Sequence, residues 1–211
     1  AIVNGDPRLV VIDRDGKVAL FNDKGQVAWE YMANGDLRRM RAYDLDGNRN
    51  SEILLGGENN ALIGLDASGG QVLFEQPLGQ TITEIRSLEL DGEPSSIEIV
   101  VGGKNGGVWA FTATGGKIWS ASVSDKVNEI VGVDLDQDGR EEVLIGDDSG
   151  AVHLFTSNGD RYKLFDLNSG VARLDIGKLG AGRRLAAASQ DQVKLAELKV
   201  DALPVLRFTP L

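Results

Sequence analysis

The sequence repeats itself every 45 residues. Asp44-Leu45-Asp46-Gly47 returns as Glu89-Leu90-Asp91-Gly92 and as Asp134-Leu135-Asp136, each 45 residues after the last. A second landmark trails each copy: SEILLGG from Ser51, IEIVVGG from Ile97 and EEVLIGD from Glu141. Ten residues beyond Glu52, Glu98 and Glu142, another apolar run opens at Leu62, Val108 and Val152. RLVVIDRDGKVALF from Arg8 and, less closely, RLAAASQDQVKLAEL from Arg184 extend the series to five copies. A period of this length constrains the fold more than composition does. Each copy is one supersecondary unit, and it buries its apolar face only against the next copy.

Within a copy the pattern is that of short strands. In the third they are expected near 82–89, 97–102, 107–112 and 117–122. Turn pairs divide them, among them Asp15-Gly16, Asn105-Gly106, Gly115-Gly116, Ser149-Gly150 and Asn158-Gly159; Gly and Asn tolerate the positive φ of tight hairpins. The second strand of each copy is apolar at consecutive positions, Ile53-Leu54-Leu55, Ile99-Val100-Val101 and Val143-Leu144-Ile145. That suits a strand covered on both faces, as in a sheet stacked between two others. No stretch carries sustained 3.6-residue periodicity, so no helix is expected. Four-stranded units of this size stacked face to face are propeller blades. The expectation is an all-β chain of 211 residues, a single β-propeller domain of about five four-stranded blades at roughly 1–34, 35–80, 81–124, 125–168 and 169–211. It is either a closed five-blade ring or part of a larger one.

Two stretches, DLDGNRNSEILLGG (44–57) and DLDQDGREEVLIGDDSGAVHLF (134–155), resemble the FG-GAP/VCBS class of propeller repeats, which includes the integrin α-subunit propellers. The turns Leu65-Asp66-Ala67-Ser68-Gly69-Gly70 and Phe111-Thr112-Ala113-Thr114-Gly115-Gly116, with Trp119 just beyond, are similar to PQQ-like and BamB-like propellers. These families usually have seven or eight blades, where this chain has five repeats. The architecture hosts many roles, so the resemblance fixes fold more than function.

The loop between the first two strands of a repeat concentrates the acids. Asp134, Asp136 and Asp138 fall at positions 1, 3 and 5, Gly139 at 6, Arg140 at 7 and Glu142 at 9. Alternating carboxylates around a tight glycine turn converge oxygens, and Ca²⁺ takes six to eight of them, a backbone carbonyl at position 7 included. Loops of this kind bind calcium in the families resembled. The second repeat supplies Asp44, Asp46, Asn48 and Glu52 at the same spacing, with Asn50 at the carbonyl position. Both loops are expected to hold structural calcium. The third, with Glu89, Asp91, Glu93 and Glu98, is one residue too long and stiffened by Pro94, so no site is expected there. In the terminal repeats most of the acids are lost, and the glutamate position becomes Arg8 and Arg184. The same pattern arises if each loop merely balances its own charge, and Asp and Asn favour turns without any ion.

Other chemistry is sparse. The only histidine, His153, shares its repeat column with Ala19, Ile63, Trp109 and Lys194, which marks a packing position. With no cysteine in the chain, disulfides, zinc–thiolate sites and cysteine nucleophiles are excluded. No phosphate-binding glycine loop precedes a helix. Thirty-two acidic against 22 basic residues, a net charge of −10, argue against nucleic acid or an anionic membrane as partner. No apolar run reaches membrane-spanning length, and the start at Ala1 with no leader suggests a trimmed beginning. Trp29, Phe74, Trp119 and Tyr162 open the outer strands and read as inter-blade packing. Arg38, Arg39 and Arg41 read as charge balance for the acidic loop that follows, and the segment 171–211 is net basic. The reading is a non-catalytic scaffold, extracellular or periplasmic, that binds a protein partner or a second copy through its end blades. One alternative is a carbohydrate-binding module or glycan-active enzyme using exposed aromatics. Another is a half-propeller that dimerises or completes a larger ring.

Overall fold

The computed structural model describes residues 1–93, 95–179, 182–200 and 206–210. The described residues form strands and turns and no helix. A two-stranded hairpin, β1 (Ile2–Val3) and β2 (Asp6–Pro7), precedes a three-stranded sheet of β3 (Leu9–Ile12), β4 (Lys17–Phe21) and β5 (Val27–Met32). Four four-stranded sheets follow. The second blade is β6 (Leu37–Tyr43), β7 (Glu52–Gly57), β8 (Ala61–Asp66) and β9 (Val72–Pro77); the third is β10 (Ile82–Leu88), β11 (Glu98–Gly103), β12 (Gly107–Phe111) and β13 (Lys117–Ser122). The fourth is β14 (Val127–Val133), β15 (Glu142–Asp147), β16 (Ala151–Phe155) and β17 (Arg161–Asp166); the fifth is β18 (Arg173–Leu179), β19 (Gly182–Ala188), β20 (Val193–Val200) and β21 (Leu206–Pro210). Each sheet is an antiparallel meander in chain order, so loops of two kinds alternate between its two ends.

The first repeat departs from the expected four strands. Its opening residues are tied into the second blade's loop instead: the Ile2 amide donates to Ser51 Oγ at 2.8 Å and the Ser51 amide to the Ile2 carbonyl at 2.9 Å. Pro94, Gly180 and Ala181 of the terminal acid-poor loop, residues 201–205 and Leu211 lie outside the described residues.

The consecutive apolar runs explain the stacking. In β7, β11 and β15 every residue is buried. Alternate side chains serve different cores, because successive residues of a strand point to opposite faces. Ile53 and Leu55 join Val18 and Leu20 of the first blade, while Leu54 joins Ile99 and Val101 of the third. Val100 meets Val143 and Ile145, and Leu144 meets Leu185 and Ala187. Five sheets thus enclose four cores, one at each blade boundary. The first strands β6, β10, β14 and β18 lie side by side along the inner edge of the stack.

Candidate functional site

The acidic loops close one end of the stack. Each is organised by the buried glutamate that opens the second strand. Glu52 Oε2 accepts the Leu45 amide at 2.8 Å, Glu98 Oε2 that of Leu90 at 2.8 Å, and Glu142 Oε2 that of Leu135 at 2.9 Å. The first aspartate spans the turn: Asp44 Oδ2 accepts from the Arg49 amide at 2.9 Å and Asp134 Oδ2 from Gly139 at 3.2 Å. Gly139 has φ +88°, which an L side chain resists. The third and fifth positions make short Asx turns. Asp46 and Asp136 accept from the amides two residues on, as do Asn48 from Asn50 and Asp138 from Arg140. Asn50 also accepts the Asn4 amide at 2.7 Å.

Carboxylate oxygens of Asp44, Asp46 and Glu52 lie within 4.8 Å of one another, as do those of Asp134, Asp136 and Asp138. So do Glu89, Asp91 and Glu98. The third loop therefore brings its acids together as the others do, although it is one residue longer. One oxygen in each of the other two loops, Asp44 Oδ1 and Asp134 Oδ1, is buried without a hydrogen-bond partner. Burial raises the pKa of Glu52 and Glu98, and it pushes Glu142 up to about 7, with Asp136, Asp138 and Asp134 adding like-charge repulsion.

The arginine cluster does not balance the loop beside it. Arg38 pairs with Asp36 at 3.0 Å and Glu58 at 2.6 Å, at the opposite end of the strands. Arg41 reaches Glu84 at 2.8 Å, and Arg39 lies 3.7 Å from the same carboxylate. Glu84 and Glu129 head a ladder along the inner strands: Arg86 touches both, at 2.9 Å for Glu129, and Arg173 closes on Glu129 at 2.7 Å. This ladder was absent from the sequence reading. Its signal was present, since Arg41 and Arg86, and Glu84 and Glu129, are themselves 45 residues apart.

His153 is 2% exposed and its Nε2 lies 3.3 Å from the fully buried Asp147, which Ser149 Oγ also contacts at 2.6 Å. The serine faces the carboxylate rather than the imidazole, and His153 Nδ1 is buried without a partner. Burial lowers the histidine pKa. The cluster ties the β15–β16 hairpin together and offers no open nucleophile. The aromatics lock blades. Trp29 Nε1 donates to the Ala67 carbonyl and Trp119 Nε1 to that of Ser157, both at 2.9 Å across a blade boundary. Trp119 also stacks on Phe155 with ring centroids 5.8 Å apart. A Cβ added at Gly70, Gly115 or Gly159 would strike Trp29, Phe74 or Trp119 at 2.7, 2.4 or 2.8 Å. Only glycine fits beneath each ring.

Among the described residues the other end of the stack carries polar grooves, two of which adjoin. One, of about 300 Å³, lies between the second, third and fourth blades among Arg38, Arg39, Glu58, Lys104 and Lys126. Its neighbour, of about 440 Å³, continues past Asp148 and Ser169 to Gln190.

The family model described as outer membrane protein assembly factor BamB matches residues 14–163. No curated protein matches the sequence. Among solved structures, BBS1N in complex with ARL6DN, soaked with mercury, superposes with a TM-score of 0.68 at 17% identity. The match covers 96% of this chain and 60% of that one. The lead-soaked form of the same complex gives 0.67 at 17% identity, covering 92% and 57%. At such identity the likeness is one of fold. The chain spans about three fifths of the length of these structures.

Proposed function

Because the chain belongs to the family described as outer membrane protein assembly factor BamB, we propose that it is a non-catalytic propeller-type scaffold whose surfaces hold protein partners. The observation that supports this reading is the lock repeated at three blade boundaries, Trp29 over Gly70, Phe74 over Gly115 and Trp119 over Gly159. It makes a rigid frame, and the turns at both ends of that frame spend their side chains on their own backbone. Pre-ordered surfaces lose little entropy on binding. The names of the similar structures point the same way, since BBS1N was crystallised in complex with ARL6DN.

The end blades carry the apolar part of this surface. Leu9 and Val11 on β3 are 64% and 45% exposed, where their counterparts Ile53 and Leu55 are fully covered by a neighbouring sheet. Val193 on β20 is 71% exposed. Such faces suit a protein that continues the stack, either a partner or a second copy. Sugar stacking is less favoured, because Trp29 and Trp119 are part-buried with their indole donors engaged. The test is a photo-crosslinking side chain placed at Lys104 or Gln190 on one end and Thr114 or Asn158 on the other, in the cells that make the protein. Discrete heavier adducts are expected from at least one end; none from any position overturns the scaffold reading.

A structural-calcium role for the FG-GAP/VCBS-like loops is favoured by one observation, the buried and unpartnered Asp44 Oδ1 and Asp134 Oδ1. Calcium there would neutralise clustered carboxylates and stabilise by mass action. Plentiful extracellular or periplasmic calcium would suit it. Melting in millimolar Ca²⁺ and again in chelator decides it: Tm rises with calcium in the wild type and not in Asp134→Asn/Asp44→Asn, or the assignment fails.

A further inference from the structure

The two ends of the blade stack differ in charge. The three loops 44–52, 89–98 and 134–142 hold twelve acidic and two basic residues, an excess of ten that equals the chain's whole net charge of −10. The rest of the molecule is neutral in sum, and some of its cations stand at the opposite end. There the first groove is lined by four cations, Arg38, Arg39, Lys104 and Lys126, against one acid, Glu58.

The fold puts them there by a repeated device. The register of the first and second strands slips between Leu37 and Arg39, between Ile82 and Glu84, and between Val127 and Glu129. Each slip leaves one bulged residue, Arg38, Thr83 and Asn128, and all three line the groove. A bulge re-aims a side chain that a regular strand would bury or pair. The neighbouring acids are already engaged, Asp36 by Arg38 at 3.0 Å and Asp148 by Lys126 at 3.3 Å. Among the described residues Lys104, exposed in the β11–β12 hairpin, has no ion pair. Lys126 and Asn128 line the second groove too, so the two run together as one track across three blade boundaries.

We propose that this track binds an extended acidic segment of a partner protein, its carboxylates received by Lys104 and Lys126 and its chain running along the bulged residues. The proposal rests on the scaffold reading and assigns its surface and partner chemistry. A long, shallow, polar track suits an extended chain better than a compact ligand, which needs an enclosed and largely apolar pocket. The acidic rim at the far end repels such a segment, so the field of the molecule orients the encounter toward the track.

The experiment uses a fluorescein-labelled peptide of alternating glutamate and glycine, read by anisotropy against the full chain at 20 and 200 mM NaCl. Saturable binding that weakens with salt is expected. Lys104→Glu and Lys126→Glu, in exposed or half-buried positions whose melting curves check folding, should each weaken it about tenfold. Lys24→Glu, in a turn at the acidic end, should leave it unchanged. No saturable binding at 20 mM NaCl overturns the proposal, as does an equal loss in Lys24→Glu. Displacement of the peptide by a phosphatidylserine vesicle or an oligonucleotide of equal charge overturns the assignment to a protein segment. Crosslinks confined to Thr114 and Asn158, with no peptide binding, remove the track and leave the scaffold reading standing.

Discussion

At the scale of single residues, the most consequential group is Glu142. It is 2% exposed, accepts one backbone hydrogen bond, and sits behind three aspartates. Its pKa stands at about 7, above the ordinary 4.5. The native state therefore holds a proton between those values that the unfolded chain has released, and stability falls as pH rises through that window. A shift of this size corresponds to about 3 kcal/mol at most. His153 works in the opposite sense: burial lowers its pKa, so its contribution is present above the ordinary histidine value and is lost as pH falls below it. The difference between the wild type and Glu142→Gln isolates the carboxylate. In chelator, the wild type should lose stability relative to Glu142→Gln between pH 5 and pH 8, measured by urea unfolding. Parallel pH profiles would show that Glu142 is ionised throughout.

At the scale of elements, three of the four blade boundaries are joined by a ring over a glycine. Gly159 has φ +91° and its added Cβ would lie 2.8 Å from Trp119 Cγ; Gly139 has φ +88° with nothing within 4 Å. The pair separates packing from backbone strain. Gly139→Ala should cost about 1 kcal/mol for the left-handed conformation alone. Gly159→Ala should cost about 1–3 kcal/mol more, because the indole must move off Phe155 and the Ser157 carbonyl. Equal losses in urea titrations of the two variants would refute the lock. These glycines and aromatics were legible in the sequence because they recur at fixed offsets and their chemistry is local. The charge ladder was less legible. Glu84 and Arg86 alternate with apolar residues on an inner strand, and nothing local says that a carboxylate at 84 will meet guanidiniums from residues 41 and 86. That contact depends on how blades stack side by side. The same reason misassigned Arg38 and Arg41 to the acidic loop that follows them in sequence, when strand direction carries Arg38 to the far end and Arg41 to the inner edge.

At the scale of the whole molecule, the repeat specified the blades while its departures specified the polarity. The loop 89–98 is one residue longer than its counterparts, yet it keeps Glu89, Asp91 and Glu98 together. Three loops thus stack their acids on one rim, an arrangement that follows from the strand order and that no single loop encodes. Like charges concentrated at one end repel across blade boundaries, and the folded state carries that cost while the extended chain relieves it. Screening should therefore stabilise the protein even without a specific ion. In chelator, raising NaCl from 10 to 200 mM should add about 1 kcal/mol, which is roughly 2–4 °C in Tm for a chain of this size. Asp46→Asn, Asp91→Asn and Asp136→Asn combined remove one exposed charge from each loop and keep an acceptor for each Asx turn. The triple variant should melt higher than the wild type at 10 mM NaCl and converge with it at 200 mM. If its advantage persists unchanged at high salt, the gain comes from turn chemistry and the rim's charges do not act together. If the wild type is insensitive to NaCl yet responds to millimolar calcium, the loops act as three separate cation sites rather than as one charged surface.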